Sequence, residues 1–324
     1  MRDVRIGIVG CGHAARVHLE RLRAIDGVEI VGFADTDLAM ARAMAGSVPP
    51  CADHHELIRM HHPNAIAIFT PHLSHYRTAM DAIQAGCHVF VEKPLSTNVQ
   101  EAVDIVTIAK ARGRKVGVGH QYRLLPGLQA ARERLASGAI GPVRLANATL
   151  ALPWLARHGG AENSWRFDPK VAGGGILTDA GVHLIDALLW TAGQAAVEVT
   201  ALQGRLDSGS DVIDVAAIRM GNGTLATLGL SGNSTVNLFE LTFLGESGRI
   251  RVTEDRLIQE SGVPGVEAEV IPLSPPMESI DGNFVAAIRD EGSLCCPAEE
   301  ALDTVRLLDA IVRSATIGQV IRLG

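Results

Sequence analysis

The tightest constraint on this chain is the succession of strand, glycine turn, helix, strand and acid in its first 35 residues. Val4 to Val9 is an apolar run too short for a buried helix, which predicts a strand covered on both faces. It leads into Gly10-Cys11-Gly12-His13-Ala14-Ala15, a G-x-G-x-x-A turn. In such a turn the first glycine permits the tight bend, the second lets a pyrophosphate approach the backbone, and the small third residue packs helix on strand. A helical pattern over Ala14 to Ile25 and a strand over Val28 to Ala34 follow, ending at Asp35. An acid about twenty residues past the turn is placed to hold the ribose hydroxyls of a dinucleotide.

Asp35 also bears on the choice of dinucleotide. With Asp37 two residues on and neither Arg nor Lys between them, it would repel a 2′-phosphate, so NAD is favoured over NADP. Arg42, one turn into the next helix, keeps NADP as the alternative. Asp35 can also serve as a helix N-cap, and that role does not exclude a ribose contact.

The pattern continues with helices over Thr36 to Ala45 and around His54 to Met60, separated by a weak segment near Cys51. Ala65 to Thr70 reads as a buried strand closed by Pro71, with His72 and His75 just past its carboxyl end, where open parallel sheets bind ligands. A helix over Ser74 to Ala85 is capped by Gly86, and the strand Val89 to Val91 ends in Glu92-Lys93-Pro94. Lys93 is thereby delivered to the same crevice as Gly10 and Asp35, and Pro94 restricts its backbone to extended conformations. A helix over Val99 to Ala111 and a strand over Lys115 to Gly119 complete an expected six-strand, doubly wound Rossmann unit of parallel strands. The boundary falls near Gln121, giving domains of 1–121 and 122–324. His54, His55, His61 and His62 come with no carboxylate or cysteine cluster in the sequence, so they read as surface histidines and no metal is expected.

The second half centres on Gly173 to Trp190, where three glycines run into a helical pattern that ends at Gly193. Asp179, His183, Asp186 and Trp190 fall at i, i+4, i+7 and i+11, which places them on one helix face. Leu177, Ala180, Leu184 and Leu188 line another, an apolar stripe for packing against a sheet. An Asp four residues before a His can orient the imidazole and stabilise its protonated form, as a general base requires; a surface or capping pair is the alternative. Arg123 and Pro126 lead into a helix over Gly127 to Ser137. Strands are expected over Val143 to Leu152, Val197 to Leu206, Val212 to Met220, Leu225 to Leu230, Phe239 to Leu244 and Arg249 to Thr253. Asn222-Gly223 is a tight-hairpin signal, and Glu246-Ser247-Gly248 serves as another turn. This predicts an α+β domain, a mostly antiparallel open sheet with helices on one face, closed by helices near Phe284 to Asp290 and over Ala298 to Ala315. The loop from Leu152 to Gly173 carries Trp154, Arg157, His158, Trp165, Arg166 and Asp168. Tryptophan faces stack on sugar rings and arginines clamp oxygens; the other reading is that these residues plug the domain interface.

Composition narrows the class. At 324 residues the chain exceeds what one core usually covers. Its net charge of −7, with no basic cluster, argues against a nucleic-acid partner. The five cysteines show no Cys-x-x-Cys spacing, and Cys295-Cys296 would be a strained bridge, which points to a reducing, cytoplasmic setting. Arg2, Asp3 and Arg5 precede a short apolar strand, unlike a signal peptide, and no apolar run approaches a membrane span.

Four motifs in order, Gly10 to Ala15, Thr70-Pro71 with His75, Glu92-Lys93-Pro94 and the Gly173 to Trp190 block, resemble the Gfo/Idh/MocA family of NAD(P)-dependent oxidoreductases. The resemblance runs nearly end to end, through Gly138-x-x-Gly141-Pro142 and Ala298 to Leu323. It implies that Lys93 matches the family's catalytic lysine, that Asp179 and His183 match its acid/base pair, and that Lys93-Pro94 is cis. It also implies pairing of the second-domain sheets, as a homodimer or homotetramer. The cofactor-binding set expected is Gly10, Gly12, His13, Ala14, Ala15, Asp35, Thr70, Pro71, His75, Glu92, Lys93, Pro94 and Gln121. Substrate contacts are expected from Lys93, Arg123, Trp154, Trp165, Arg166, Asp179 and His183. The activity implied is hydride transfer between NAD and a hydroxyl of a sugar, cyclitol or related polyol. Two alternatives are a glycosidase that oxidises, eliminates and re-reduces with held NAD, and a non-catalytic dinucleotide or sugar sensor. The intact lysine, aspartate and histidine argue against the sensor.

Overall fold

In the computed structural model, which describes residues 3–158, 164–275 and 279–324, the first half forms a parallel sheet of five strands. The elements follow as β1 (Val4–Val9), α1 (His13–Arg23), β2 (Val28–Ala34), α2 (Leu38–Ala45), α3 (His54–His61), β3 (Ala65–Ile68), α4 (His75–Gln84), β4 (His88–Val91), α5 (Val99–Arg112) and β5 (Val116–Val118). The strand order is β2-β1-β3-β4-β5. All four residues of β3 are buried, as a strand covered by helices on both faces requires. The sheet has five strands where six were expected, and the weak segment near Cys51 does not add one. Cys51 makes a single bridge to Ala34, and Pro49 and Pro50 before it have no N–H with which to extend a ladder.

The register sets up the site. Ala34 pairs with Val9, Val9 with Ile68, Ile68 with Val91 and Val91 with Val118, so one row crosses the sheet at its carboxyl edge. Asp35, Gly10, Phe69, Glu92 and Gly119 are the next residues beyond that row.

The second half begins with α6 (Pro126–Ala136), β6 (Val143–Ala151) and the short helices α7 (Trp154–Arg157) and α8 (Pro169–Ala172). A π-turn over Leu177–Gly181 runs directly into α9 (Val182–Ala192). Then come β7 (Ala196–Arg205), β8 (Asp211–Met220), β9 (Leu225–Ser231), β10 (Leu238–Gly245), β11 (Gly248–Thr253), β12 (Leu257–Ser261) and β13 (Glu269–Ile271). The chain ends with α10 (Ile280–Ile288), α11 (Ala298–Ile317) and β14 (Ile321–Arg322). The nine-stranded sheet has the order β13-β12-β11-β10-β6-β9-β8-β7-β14, and β6 with β9 is its parallel pair. Its core joins inward residues such as Ala148, Leu228 and Phe243 to Leu177, Leu184 and Leu188 of the π-turn and α9, the stripe expected from the sequence. Asn222-Gly223 makes the β8–β9 hairpin, with Thr224 N donating to the Asn222 side chain at 3.1 Å.

The chain clusters into two compact units, Met1–Gln121 with Glu278–Leu302, and Tyr122–Met277 with Asp303–Gly324. The division therefore differs from an unbroken second domain over 122–324, because α10 belongs to the first unit. It is tied there by Asp281 on His18 at 2.7 Å and Arg289 on the Asp26 carbonyl at 2.5 Å. Contrary to the expectation that no apolar run approaches a membrane span, Pro169–Ala192 is long and apolar enough by length and composition. Yet 78% of an apolar 18-residue stretch within it is buried inside the protein, as a core helix would be.

Candidate active site

The glycine turn takes its shape from the strand beside it. Gly10 has φ +85°, and a Cβ there would sit 2.7 Å from the Phe69 carbonyl, so only glycine lets β1 turn so close to the end of β3. Gly12, the N-cap of α1, is the opposite case: a Cβ would meet nothing within 4 Å. That open space lies at the first turn of a helix whose leading amides and dipole favour a negative group, as a pyrophosphate requires. Ala15 is fully buried, giving the close helix-to-strand packing expected, while His13 is exposed and Ala14 partly so. Asp35 accepts from Cys11 N at 2.7 Å and from Asp37 N at 2.9 Å, so its carboxylate is locked against the glycine turn. The helix cap that Asp35 was free to supply comes from Asp37, which accepts from Ala39 N at 2.9 Å. The buried Thr70 hydroxyl, one residue past Phe69, has no hydrogen-bond partner among the described residues, an acceptor and donor left open at this edge. Open room at Gly12, a fixed carboxylate at Asp35 and an unspent hydroxyl at Thr70 fit a dinucleotide.

Two buried histidines hold the lysine turn. The Lys93-Pro94 bond is cis. His75, fully buried, places Nδ1 2.7 Å from the Pro94 carbonyl and Nε2 2.9 Å from the Thr70 carbonyl. Burial holds its pKa below the ordinary value, and a neutral ring donates to one of those carbonyls at a time. His75 therefore braces the turn through the backbone. Glu92, also expected to contact cofactor, folds back: its Oε1 lies 2.9 Å from His18 Nε2, and its Oε2 accepts from Lys93 N at 3.2 Å. Gln121 is exposed at the end of this segment.

In the second unit, Asp211 aims both carboxylate oxygens at the start of the site helix. It accepts from Gly175 N at 2.8 Å and Leu177 N at 2.7 Å, satisfying amides that a helix start leaves open. A Cβ on Gly175 would overlap the Asp211 backbone, which accounts for glycine there. Asp179 lies within the π-turn, a wide turn frequent at functional sites, and is 6% exposed. Its Oδ2 accepts from Trp154 Nε1 at 2.8 Å and Arg166 Nε at 3.0 Å, with His158 Nε2 at 3.9 Å. His183, buried on α9, stacks on Tyr122 with ring centroids 4.8 Å apart and planes at 16°.

The four polar residues read as one helix face therefore divide between two tasks. Asp186 receives both Nε and Nη2 of Arg123, at 2.9 and 2.7 Å, and Thr304 Oγ1 at 3.2 Å. Trp190 lies under Arg123 and Arg132, whose guanidinium carbons are 5.7 and 4.7 Å from its ring centroid. Arg123, expected on substrate, is 3% exposed and spends its fork on Asp186. Trp154, expected to stack on a sugar, is 2% exposed and meets the Phe167 ring at 4.7 Å with planes at 66°, so it is packed into the core. Trp165 and Arg166 are half-buried, with the guanidinium 4.5 Å above the indole. Sequence reasoning missed His18, Asp211 and Tyr122, which set the positions of Glu92, the site helix and His183. Elsewhere, α4 brings Asp81 to His54 at 2.9 Å and His55 at 3.5 Å, a carboxylate not visible beside those histidines in the sequence. Arg77 lies 3.9 Å from the same oxygen, so Asp81 is the shared partner of these three side chains.

Comparison with known proteins agrees with this architecture. Residues 4–120 match the family model described as oxidoreductase family, NAD-binding Rossmann fold, and residues 128–251 match that of the GFO/IDH/MocA C-terminal domain. The D-glucoside 3-dehydrogenase of Escherichia coli strain K12 is 28% identical over 200 residues, covering 60% of this chain and 56% of that protein. This chain thus spans little more than half the length of that relative. The 1,5-anhydro-D-fructose reductase of Ensifer adhaerens is 25% identical over 337 residues, covering 97% of each. In fold, the chain superposes on the WlbA dehydrogenase from Bordetella pertussis, solved in complex with NADH and UDP-GlcNAcA, with a TM-score of 0.86. The identity is 24%, covering 100% of this chain and 99% of that one.

Proposed function

Because the chain belongs to the Gfo/Idh/MocA oxidoreductase family, with its NAD-binding Rossmann fold, we propose that it is an NAD-dependent dehydrogenase of a sugar, cyclitol or related polyol. The observation that carries this reading is the register row at the carboxyl edge of the parallel sheet. Asp35, Gly10 and Glu92-Lys93 follow directly on β2, β1 and β4, which span three strand spacings, about 14 Å. A bound dinucleotide would be held with its adenosine ribose by Asp35, its pyrophosphate at the Gly12 turn and its nicotinamide toward Lys93. The locked carboxylate of Asp35 favours NAD over NADP by repelling a 2′-phosphate.

NAD, when bound, supplies the carbon that takes up the hydride. The substrate's carbinol C–H pair leaves as that hydride, its hydroxyl proton passes to a base, and a C=O bond forms. His183 takes the proton, and Asp179, fixed by Trp154 and Arg166, supports the imidazolium that results. Lys93 donates a hydrogen bond to the oxygen as it gains carbonyl character. The relatives named for dehydrogenation or reduction of glucosides and anhydro sugars support the substrate class.

The test is a panel of sugars and cyclitols screened for NADH absorbance, with NADP in parallel. A substrate turned over with NAD is expected, with Lys93→Met and His183→Ala each losing about 10²–10⁴-fold in turnover. Near-wild-type turnover by both variants would overturn the scheme. Sugar release without NADH accumulation would reassign the chain to a glycosidase, and cofactor binding with no turnover of any sugar to a sensor.

We also propose that a second copy covers the outer face of the nine-stranded sheet. Leu202 and Val215, cross-strand partners on β7 and β8, are 75% and 53% exposed, and Ile213 and Leu225 extend the same apolar face.

A further inference from the structure

His18 stands outside every motif that the proposed reaction uses, yet it is the most heavily engaged side chain near the lysine turn. It lies on α1, 6% exposed, and packs against the rings of Phe69 and Phe90 at 4.8 and 5.3 Å. Its Nδ1 is 2.7 Å from Asp281 Oδ1 and its Nε2 is 2.9 Å from Glu92 Oε1. Ionised carboxylates only accept, so both ring nitrogens must donate, and the ring is an imidazolium. Arg21 Nη1, 3.6 Å from the second oxygen of Asp281, completes a balanced set of two cations and two anions. Burial works against the ring's charge, but the hydrogen bonds to Asp281 and Glu92, with their charges, raise its pKa from 6.5 to about 9.

The consequence falls on Glu92. Its carboxylate is held by His18, accepts from the backbone N–H of Lys93, and packs close over Gly119, 3.1 to 3.2 Å from where a Cβ would stand. On the other side of the turn, His75 holds the Pro94 carbonyl. Lys93 is thus the residue between two gripped neighbours.

We propose that His18, as an imidazolium bridging Glu92 and Asp281, is a positioning residue for Lys93, fixing through Glu92 the direction in which the lysine presents its ammonium. This rests on the reading of Lys93 as a catalytic group. Asp281 belongs to α10, so the distant segment Glu278–Leu302 has a task in the first unit: it supplies the second anion that keeps His18 charged.

The test compares His18→Gln, Glu92→Gln and Lys93→Met in full-length protein with NAD and the polyol that the panel identifies. His18→Gln and Glu92→Gln are each expected to lower kcat at least tenfold while KM for NAD moves less than threefold. The double variant should lose no more than about threefold beyond either single, since the two act as one unit. A second readout needs no substrate: the Tm gap between wild type and His18→Gln, measured with NAD bound. A histidine raised to about 9 from 6.5 contributes stability that is complete below pH 6.5 and lost as pH rises through about 9, so the gap should close over that window. If His18→Gln turned over within twofold of wild type while Lys93→Met was dead, or if the Tm gap ignored pH, the assignment of His18 would be wrong. An active Lys93→Met would instead bring down the underlying reading and this one with it. Should His18→Gln fail to fold, Glu92→Gln carries the kcat test alone.

Discussion

Arg123 and Asp186 meet in two parallel hydrogen bonds of 2.9 and 2.7 Å, with side chains 3% and 1% exposed. Such a pair has given up its hydration, so removing one partner leaves a buried charge uncompensated. Arg123→Met is expected to destabilise the protein by about 3–5 kcal/mol, whereas Arg123→Met with Asp186→Leu should recover most of the loss. Urea denaturation of the two variants checks this. A single variant as stable as wild type would mean that water reaches the site.

Gly10 and Gly12, two residues apart in one turn, should separate folding from binding. At Gly12 a methyl group meets nothing within 4 Å and the backbone φ of −81° suits any residue, so Gly12→Ala should leave Tm within a few degrees of wild type. The methyl would occupy room needed for a pyrophosphate, and NAD affinity is expected to fall at least tenfold by calorimetry. Gly10→Ala has φ +85° and the Phe69 carbonyl in its way, so it should lose stability itself, by about 1–3 kcal/mol. Equal effects of the two substitutions on Tm would contradict this division.

Asp214 on β8 gives the second unit a pH response. Burial, then the charge of Asp211, raises its pKa from 3.8 to about 8, so the folded protein keeps the carboxyl protonated. The unfolded chain gives up that proton near pH 3.8 and the folded one near pH 8. Between them the folded state binds more protons, and stability falls as pH rises through that window. Asp214→Asn, neutral at every pH, should flatten the decline, which denaturant midpoints between pH 4 and pH 9 would show. A steeper decline in the variant would reverse the sign argued here.

What the sequence disclosed was whatever its chemistry encodes locally. The glycine turn, Asp35, the Lys93-Pro94 constraint and the Asn222-Gly223 hairpin each depend on residues within a few positions of one another, and each stands where the pattern put it. His18 was not legible because its partners lie 74 and 263 positions away. For the same reason α10 was assigned to the wrong unit: one buried ion pair and a few backbone ties recruit it, with no periodicity to announce them. The helix-face reading of Asp179, His183, Asp186 and Trp190 assumed 3.6 residues per turn throughout, and the π-turn at Leu177–Gly181 breaks that phase. Trp154 was read for its faces, whereas the fold uses its N–H on Asp179.

The outer face of the nine-stranded sheet provides a last measurement. Leu202 and Val215 are direct cross-strand partners, and Leu145 and Leu225 pair on the same face at 38% and 48% exposure. Ile213 lies two residues from Val215 on the same face of β8, and the Leu145–Leu225 pair sits further along the sheet beside Arg219, so this face carries several large apolar side chains of the kind monomers seldom leave in water. Two copies joined through it would form a closed, symmetric pair in which each patch meets its own equivalent. Light scattering on the eluting protein should then report an even-numbered oligomer. Leu202→Lys with Val215→Lys places four like charges in that interface and should shift the mass to the monomer, with Tm of the isolated chain changed little because both side chains already face solvent. A wild-type protein that eluted as a monomer at tens of micromolar would overturn the pairing of two copies through this face.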